Sequence, residues 1–116
     1  MNFTLENLDK LTAGDIIGKK KFVKLFISEM KDNEVPALLK ASLIKDEQLL
    51  LAKAHSIKSN VRFFGLHEIT SRLQKLEDNP NLFITPEVAQ EIEQISAKIL
   101  SVCEEMNTWC NIIEHA

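Results

Sequence analysis

Three residues in the middle of the chain have the types and the spacing to do chemistry: His55, Lys58 and Arg62. An imidazole in water is a nucleophile and a proton carrier near neutral pH. If the segment is helical, the lysine lies one turn from the histidine and the arginine two turns away. Positive charge one turn away is what a phosphoryl group carried on the ring would need. The plainer alternative is a surface histidine with no chemical task. No second histidine or acid falls in register to complete a metal site or a catalytic triad. There is also no short Cys-x-x-Cys or His-x-x-x-His pair to suggest zinc. No glycine-rich nucleotide loop of the usual kinds is present, so ATP binding is not expected.

The histidine's surroundings follow from a helical wheel. Leu50, Ala54, Ile57, Val61 and Phe64 gather on one side, centred roughly 140° from His55 at 3.6 residues per turn. Gln48, Leu51, Lys58, Ser59 and Arg62 lie within about 60° of it. His55 is therefore expected to face outward, with Lys58 and Arg62 on the same exposed surface. Leu51 and Ala52 are apolar at outward positions, which suggests a docking patch.

The elements that hold this face are legible from periodicity and punctuation. Leu8, Leu11, Ile16 and Ile17 suggest a small leading helix. A long helical stretch follows from Lys19 to about Leu43, with Phe22, Leu25, Phe26, Met30, Leu38, Leu39 and Ala41 as core candidates. Pro36 falls inside it, so the helix either kinks or starts again there. The His55 stretch runs from Asp46 to about Phe64 and is ended by Gly65. Leu66, Ile69, Leu73 and Leu76 then mark a shorter amphipathic helix, closed by the loop Asp78-Asn79-Pro80-Asn81. Thr85-Pro86-Glu87 has the capping hydroxyl, first-turn proline and acid of a helix start. From Val88 through Ile92, Ile95, Ile99, Val102, Met106 and Trp109 to Ile113, apolar residues alternate at spacings of four and three. The expected fold is all-α: an antiparallel four-helix bundle with a short additional N-terminal helix, spanning residues 1–116 as one domain.

Composition agrees with that reading. The 116 residues are 45% hydrophobic and 27% charged, enough for a modest core and far from the composition of disorder. A net charge of -3 speaks against general binding of nucleic acid. No apolar run is long enough for a membrane span, and the first residues lack the pattern of a secretory signal. Cys103 and Cys110 sit two turns apart on one helix, too far for a disulfide. They are read as small, partly buried hydrophobes in a reducing compartment, so a cytoplasmic location is expected. His67 and His115 are expected to face solvent. Trp109 is read as core, and the Lys19-Lys20-Lys21 run as a solvated helix start with a possible part in steering a partner.

The stretch from Ala54-His55-Ser56-Ile57-Lys58 to Gly65-Leu66, with Leu73, Leu76 and Glu77 beyond it, resembles the signature of histidine phosphotransfer domains. In that family an alanine precedes the phosphorylated histidine, a lysine follows three residues on and a glycine ten residues on. A leucine-spaced helix ending in Leu-Glu comes next. His55, Lys58, Gly65 and Leu76-Glu77 fall on those positions. Most members carry glycine directly after the lysine, whereas this chain has Ser59.

The resemblance implies a phosphorelay intermediate without kinase or ATPase activity of its own. His55 would take a phosphoryl group from a receiver-domain aspartyl phosphate and give it to another receiver aspartate, with Lys58 offsetting charge on the phosphoryl oxygens. Gln48, Leu51, Ala52, Ser59 and Arg62 would meet the partner, and Gly65 would be structural. The partners implied are response-regulator receiver domains or a hybrid histidine kinase, met by a monomer. No cofactor is expected on this chain, the magnesium belonging to the partner receiver. Two rival readings stand beside this one. The first is a non-catalytic bundle of the same shape that binds a kinase or receiver as adaptor or inhibitor. The second is a helical adaptor whose likeness is accidental.

Overall fold

A computed structural model describes residues 2–79 and 81–114. Among these residues all regular structure is helical. The short helix α1 covers Glu6–Thr12. Helix α2 (Ile16–Glu29), a π-helical turn (Met30–Glu34) and α3 (Val35–Leu43) then run on as one rod. Helices α4 (Glu47–Phe63), α5 (His67–Glu77) and α6 (Pro86–Glu114) complete the bundle. Counting the rod once, this is a short N-terminal helix on a four-helix core, the expected class.

Local chemistry sets the boundaries. The Asp15 carboxylate accepts the backbone N–H groups of Ile17 and Gly18, starting α2. Asp46 accepts from Leu49 at 3.0 Å and starts α4. The Thr85 hydroxyl accepts from Val88 at 3.2 Å ahead of Pro86, the start expected for α6. Helix α5 ends at Glu77, as the loop signal predicted, although Pro80 of that signal lies outside the described residues.

The α-helix starts again at Pro36, which lies in the first turn of α3. The turn before it is widened: the Val35 N–H donates to the Met30 carbonyl, five residues back. A wider turn relieves the clash between the proline ring and the carbonyl one turn earlier, where proline has no N–H to offer.

The buried line of the rod differs from the expected one, because Val23 rather than Phe22 sets the inward face of α2. The inward line of the rod is Val23, Phe26 and Met30, continuing after the extra residue through Val35, Leu38 and Ala41. Phe22, Leu25 and Leu39 fall outside that line and are exposed. Leu11, Ile16 and Ile17 are exposed too, so Leu8 alone anchors α1 in the core. The other expectations hold better. Leu66, Ile69, Leu73 and Leu76 are all buried. Along α6, Ile92, Ile95, Ile99, Val102 and Met106 are buried, with Val88 and Trp109 partly so. Each fully buried aliphatic side chain contributes about 1.5–3 kcal/mol. Cys103 and Cys110 are fully rather than partly buried, and burial pushes the Cys103 thiol up to about 11 against the opposing pull of Lys31.

Polar contacts fix how α5 lies on α6. Arg72 grips Glu91 through two nitrogens and bonds Gln94 at 2.8 Å. Its hydrogen bonds hold the Glu91 carboxyl below the ordinary value, against the upward push of burial. Among the described residues no helix is long and apolar enough to cross a membrane.

Candidate functional site

The turn between α4 and α5 decides what His55 meets. Gly65 takes φ +72°, its N–H donates to the Arg62 carbonyl, and Leu66 donates to the Val61 carbonyl. A side chain at this position would adopt an unfavourable left-handed conformation. A Cβ there would also lie 2.2 Å from Thr4 Cγ2. The tight reversal lays α5 antiparallel against α4, so the last residue of α5, Glu77, comes beside the middle of α4.

There the two helices build a polar chain. His55 has a side chain 68% exposed, and its Nδ1 lies 2.9 Å from Glu77 Oε2. The other Glu77 oxygen is 2.9 Å from Lys58 Nζ. Lys58 also donates to Gln74 Oε1 at 2.7 Å, and Gln74 donates to Asp78 at 2.8 Å. Burial pushes the Glu77 carboxyl upward, but hydrogen bonds from Lys58 and His55, with their charges, more than offset it. The net effect holds the carboxyl below its ordinary value. Glu77 is thus ionised near neutral pH and can only accept. The proton between it and the imidazole then belongs on Nδ1, which assigns the lone pair to the outward Nε2. The arrangement offers one oriented, water-facing nitrogen nucleophile with a carboxylate behind the ring.

The expected site residues divide. His55, Gln48, Ala52, Ser59 and Arg62 are exposed on the outward face of α4, as the wheel indicated. Lys58 is not: it is 8% exposed and lies folded against α5. The wheel placed its Cα correctly, but the long side chain turns into the α4–α5 seam because Glu77 and Gln74 offer acceptors there. Leu51 is half-buried and packs against the core, so it contributes less open surface than expected. The Ser59 hydroxyl lies 3.5 Å from the His55 carbonyl, turned back onto its own helix. His67 is exposed at the first position of α5, and His115 lies outside the described residues.

Sequence reasoning gave no role to Glu77 beyond closing the leucine pattern, and none to Gln74. They lie 22 and 19 residues from His55, and only the packing of α5 on α4 joins them. Among the described residues no cluster of three histidine, cysteine or acidic side chains could hold a metal ion. No family model, no curated protein and no solved structure matches this chain.

Proposed function

We propose that this chain is a histidine phosphotransfer domain in which His55 accepts a phosphoryl group from a receiver-domain aspartyl phosphate and passes it to another receiver aspartate. The observation that carries the reading is the exposed His55 with Nδ1 held by Glu77 at 2.9 Å. The Nε2 lone pair attacks phosphorus, the bond from phosphorus to the aspartyl oxygen breaks, and the aspartate leaves as a carboxylate. The ring keeps its Nδ1 proton and gains positive charge, which the Glu77 carboxylate faces. Transfer onward reverses these steps with the next aspartate. The receiver supplies that aspartate and the magnesium.

Lys58 takes a different part from direct contact with the phosphoryl group. It keeps Glu77 charged and oriented, so it acts on His55 through the carboxylate. A hydrogen bond to a charged group contributes about 1.5–3 kcal/mol, so full loss of the Glu77 bond in the transition state would slow acceptance by about 10- to 100-fold. Gln48, Ala52, Ser59 and Arg62 form the open surface around the nucleophile on which a receiver would dock, with Leu51 at its edge. The domain is proposed to work as a monomer in the cytoplasm, with response-regulator receivers or a hybrid histidine kinase as partners.

The test is to mix the purified chain with receivers carrying radiolabelled aspartyl phosphate. Label should appear on the chain, resist alkali, be lost in acid and be absent from His55→Gln. Lys58→Ala should still label, more slowly. Full labelling of His55→Gln would overturn the assignment. Failure of every receiver to label the natural chain would favour the first rival reading, a non-catalytic adaptor or inhibitor. The observations on that side are the withdrawal of Lys58 from the surface and Ser59 in place of the usual glycine.

A further inference from the structure

We propose that Ser59 is a catalytic contact of the phosphoryl transfer, its hydroxyl donating to an oxygen of the phosphoryl group as the bond to His55 Nε2 forms. The inference rests on the reading of His55 as the phosphoryl acceptor and adds to it the residue that meets the transferred group. A phosphoryl group on Nε2 carries its negative charge on oxygens that need donors. The lysines near His55 in the chain are engaged elsewhere. Lys53 pairs with Glu34 at 3.3 Å, against the rod. Lys58 Nζ lies 2.9 Å from Glu77 and 2.7 Å from Gln74, folded into the α4–α5 seam. Arg62 stands two turns on, about 10 Å along the axis.

The orientation of the ring decides which side of His55 the group occupies. Nδ1 is turned to Glu77 on α5, and Lys58, about 60° around α4 from His55, reaches the same carboxylate. Helix α5 therefore flanks His55 on the Lys58 side. In an imidazole Nε2 lies across the ring from Nδ1, so the nucleophile faces outward on the side away from α5. Ser59 stands on that side, about 40° around α4 from His55 in the opposite sense to Lys58. Helical Cβ atoms lean toward the N-terminus, which carries the Ser59 side chain back over the turn that holds His55.

The hydroxyl is exposed and only weakly held. Its one printed-length contact, 3.5 Å to the His55 carbonyl, is too long to fix it in place. Rotation about a single torsion turns the proton from that carbonyl toward Nε2, with no movement of the backbone. Ser56, next to His55 in the chain, points about 100° around the helix and is less well placed. A neutral donor at Ser59 stabilises the charge gathering on the phosphoryl oxygens without holding the group as an ion pair would, which suits a group that must move on.

The probe is radiolabelled phosphoramidate, a donor too small to use a docking surface. Nε2 attacks phosphorus, the phosphorus–nitrogen bond of the donor breaks, and ammonia leaves with the bonding pair. The rate at His55 is the labelling that disappears in His55→Gln. Ser59→Ala should slow that rate about 3- to 10-fold, with helicity unchanged by circular dichroism. Ser59→Gly should be slowed as much, because it also lacks the hydroxyl. Ser59→Thr, which keeps it, should return the rate to within about twofold of the natural chain. Labelling of Ser59→Ala at the natural rate would overturn the proposal. So would faster labelling of Ser59→Gly, which would make the side chain an obstacle, and so would a Ser59→Thr protein as slow as Ser59→Ala. An unlabelled His55 would remove both this contact and the nucleophile it serves. Slowed labelling of Ser59→Ala with every receiver inactive would uphold the contact and remove the relay, whereas active receivers with unslowed Ser59→Ala would do the reverse.

Discussion

Gly65→Ala should destabilise the fold by about 2–5 kcal/mol, and about half of that cost should depend on Thr4. The first part is conformational: alanine at φ +72° pays about 1–2 kcal/mol for a left-handed backbone. The second part is steric. The new methyl group would lie 2.2 Å from Thr4 Cγ2, which must move. Thr4 is poorly placed to yield, because its N–H donates to the Phe64 carbonyl at 2.8 Å and its hydroxyl accepts from Glu6 at 3.1 Å. Phe3 beside it is buried. Overpacking of this sort costs about 1–3 kcal/mol. Thr4→Ser removes Cγ2 and keeps the hydroxyl, so Gly65→Ala made in that background should cost only the strain. Urea unfolding followed by circular dichroism on the four proteins of the cycle gives the coupling energy, expected at about 1–3 kcal/mol. Equal costs in the two backgrounds would refute the steric argument, and a cost below about 0.5 kcal/mol would refute both parts.

Ser96 is 2% exposed and its hydroxyl has no hydrogen-bond partner among the described residues, so Ser96→Ala should leave stability unchanged or raise it by up to about 1 kcal/mol in the same unfolding assay. Glu77 and Glu91 are both held below their ordinary value of 4.5. A depressed carboxyl contributes stability that is present above its ordinary value and lost as pH falls through the lowered one. Unfolding free energy should therefore drop below about pH 4.5, and Glu77→Gln with Glu91→Gln should flatten that drop. Ala52→Asp should weaken receiver binding in a titration without changing the unfolding midpoint. Leu51→Asp should lower both, because Leu51 packs against the core.

The sequence carried the helices well because their signals are local. Thr85-Pro86 starts α6, Gly65 ends the α4 turn, and the four-three seam of α6 faces inward as its spacing required. The π turn was hidden, because one extra residue in a turn leaves no compositional mark beyond Pro36 itself. Phe22 and Leu25 precede that turn and were misread as core because apolar residues crowd α2, where Val23, Phe26 and Met30 are the ones that face inward. The face of His55 was legible from one helix alone. Its chemistry was not, because Glu77 and Gln74 arrive from another helix through a turn whose geometry no wheel describes. Lys58 shows the same limit from the other direction: its position on α4 was right, and the acceptors that bend its side chain inward were out of sight.

The most direct test of the central claim is the state of the two His55 nitrogens before and after phosphorylation, read by ¹⁵N-detected imidazole spectra of the full chain. Before exposure to a phosphorylated receiver, Nδ1 should carry the proton and Nε2 the lone pair. Afterwards a phosphorus coupling should appear on Nε2 of His55, with the Nδ1 proton retained against Glu77. A proton on Nε2 in the resting protein, a phosphoryl group on Nδ1, or label on any other residue would contradict the account.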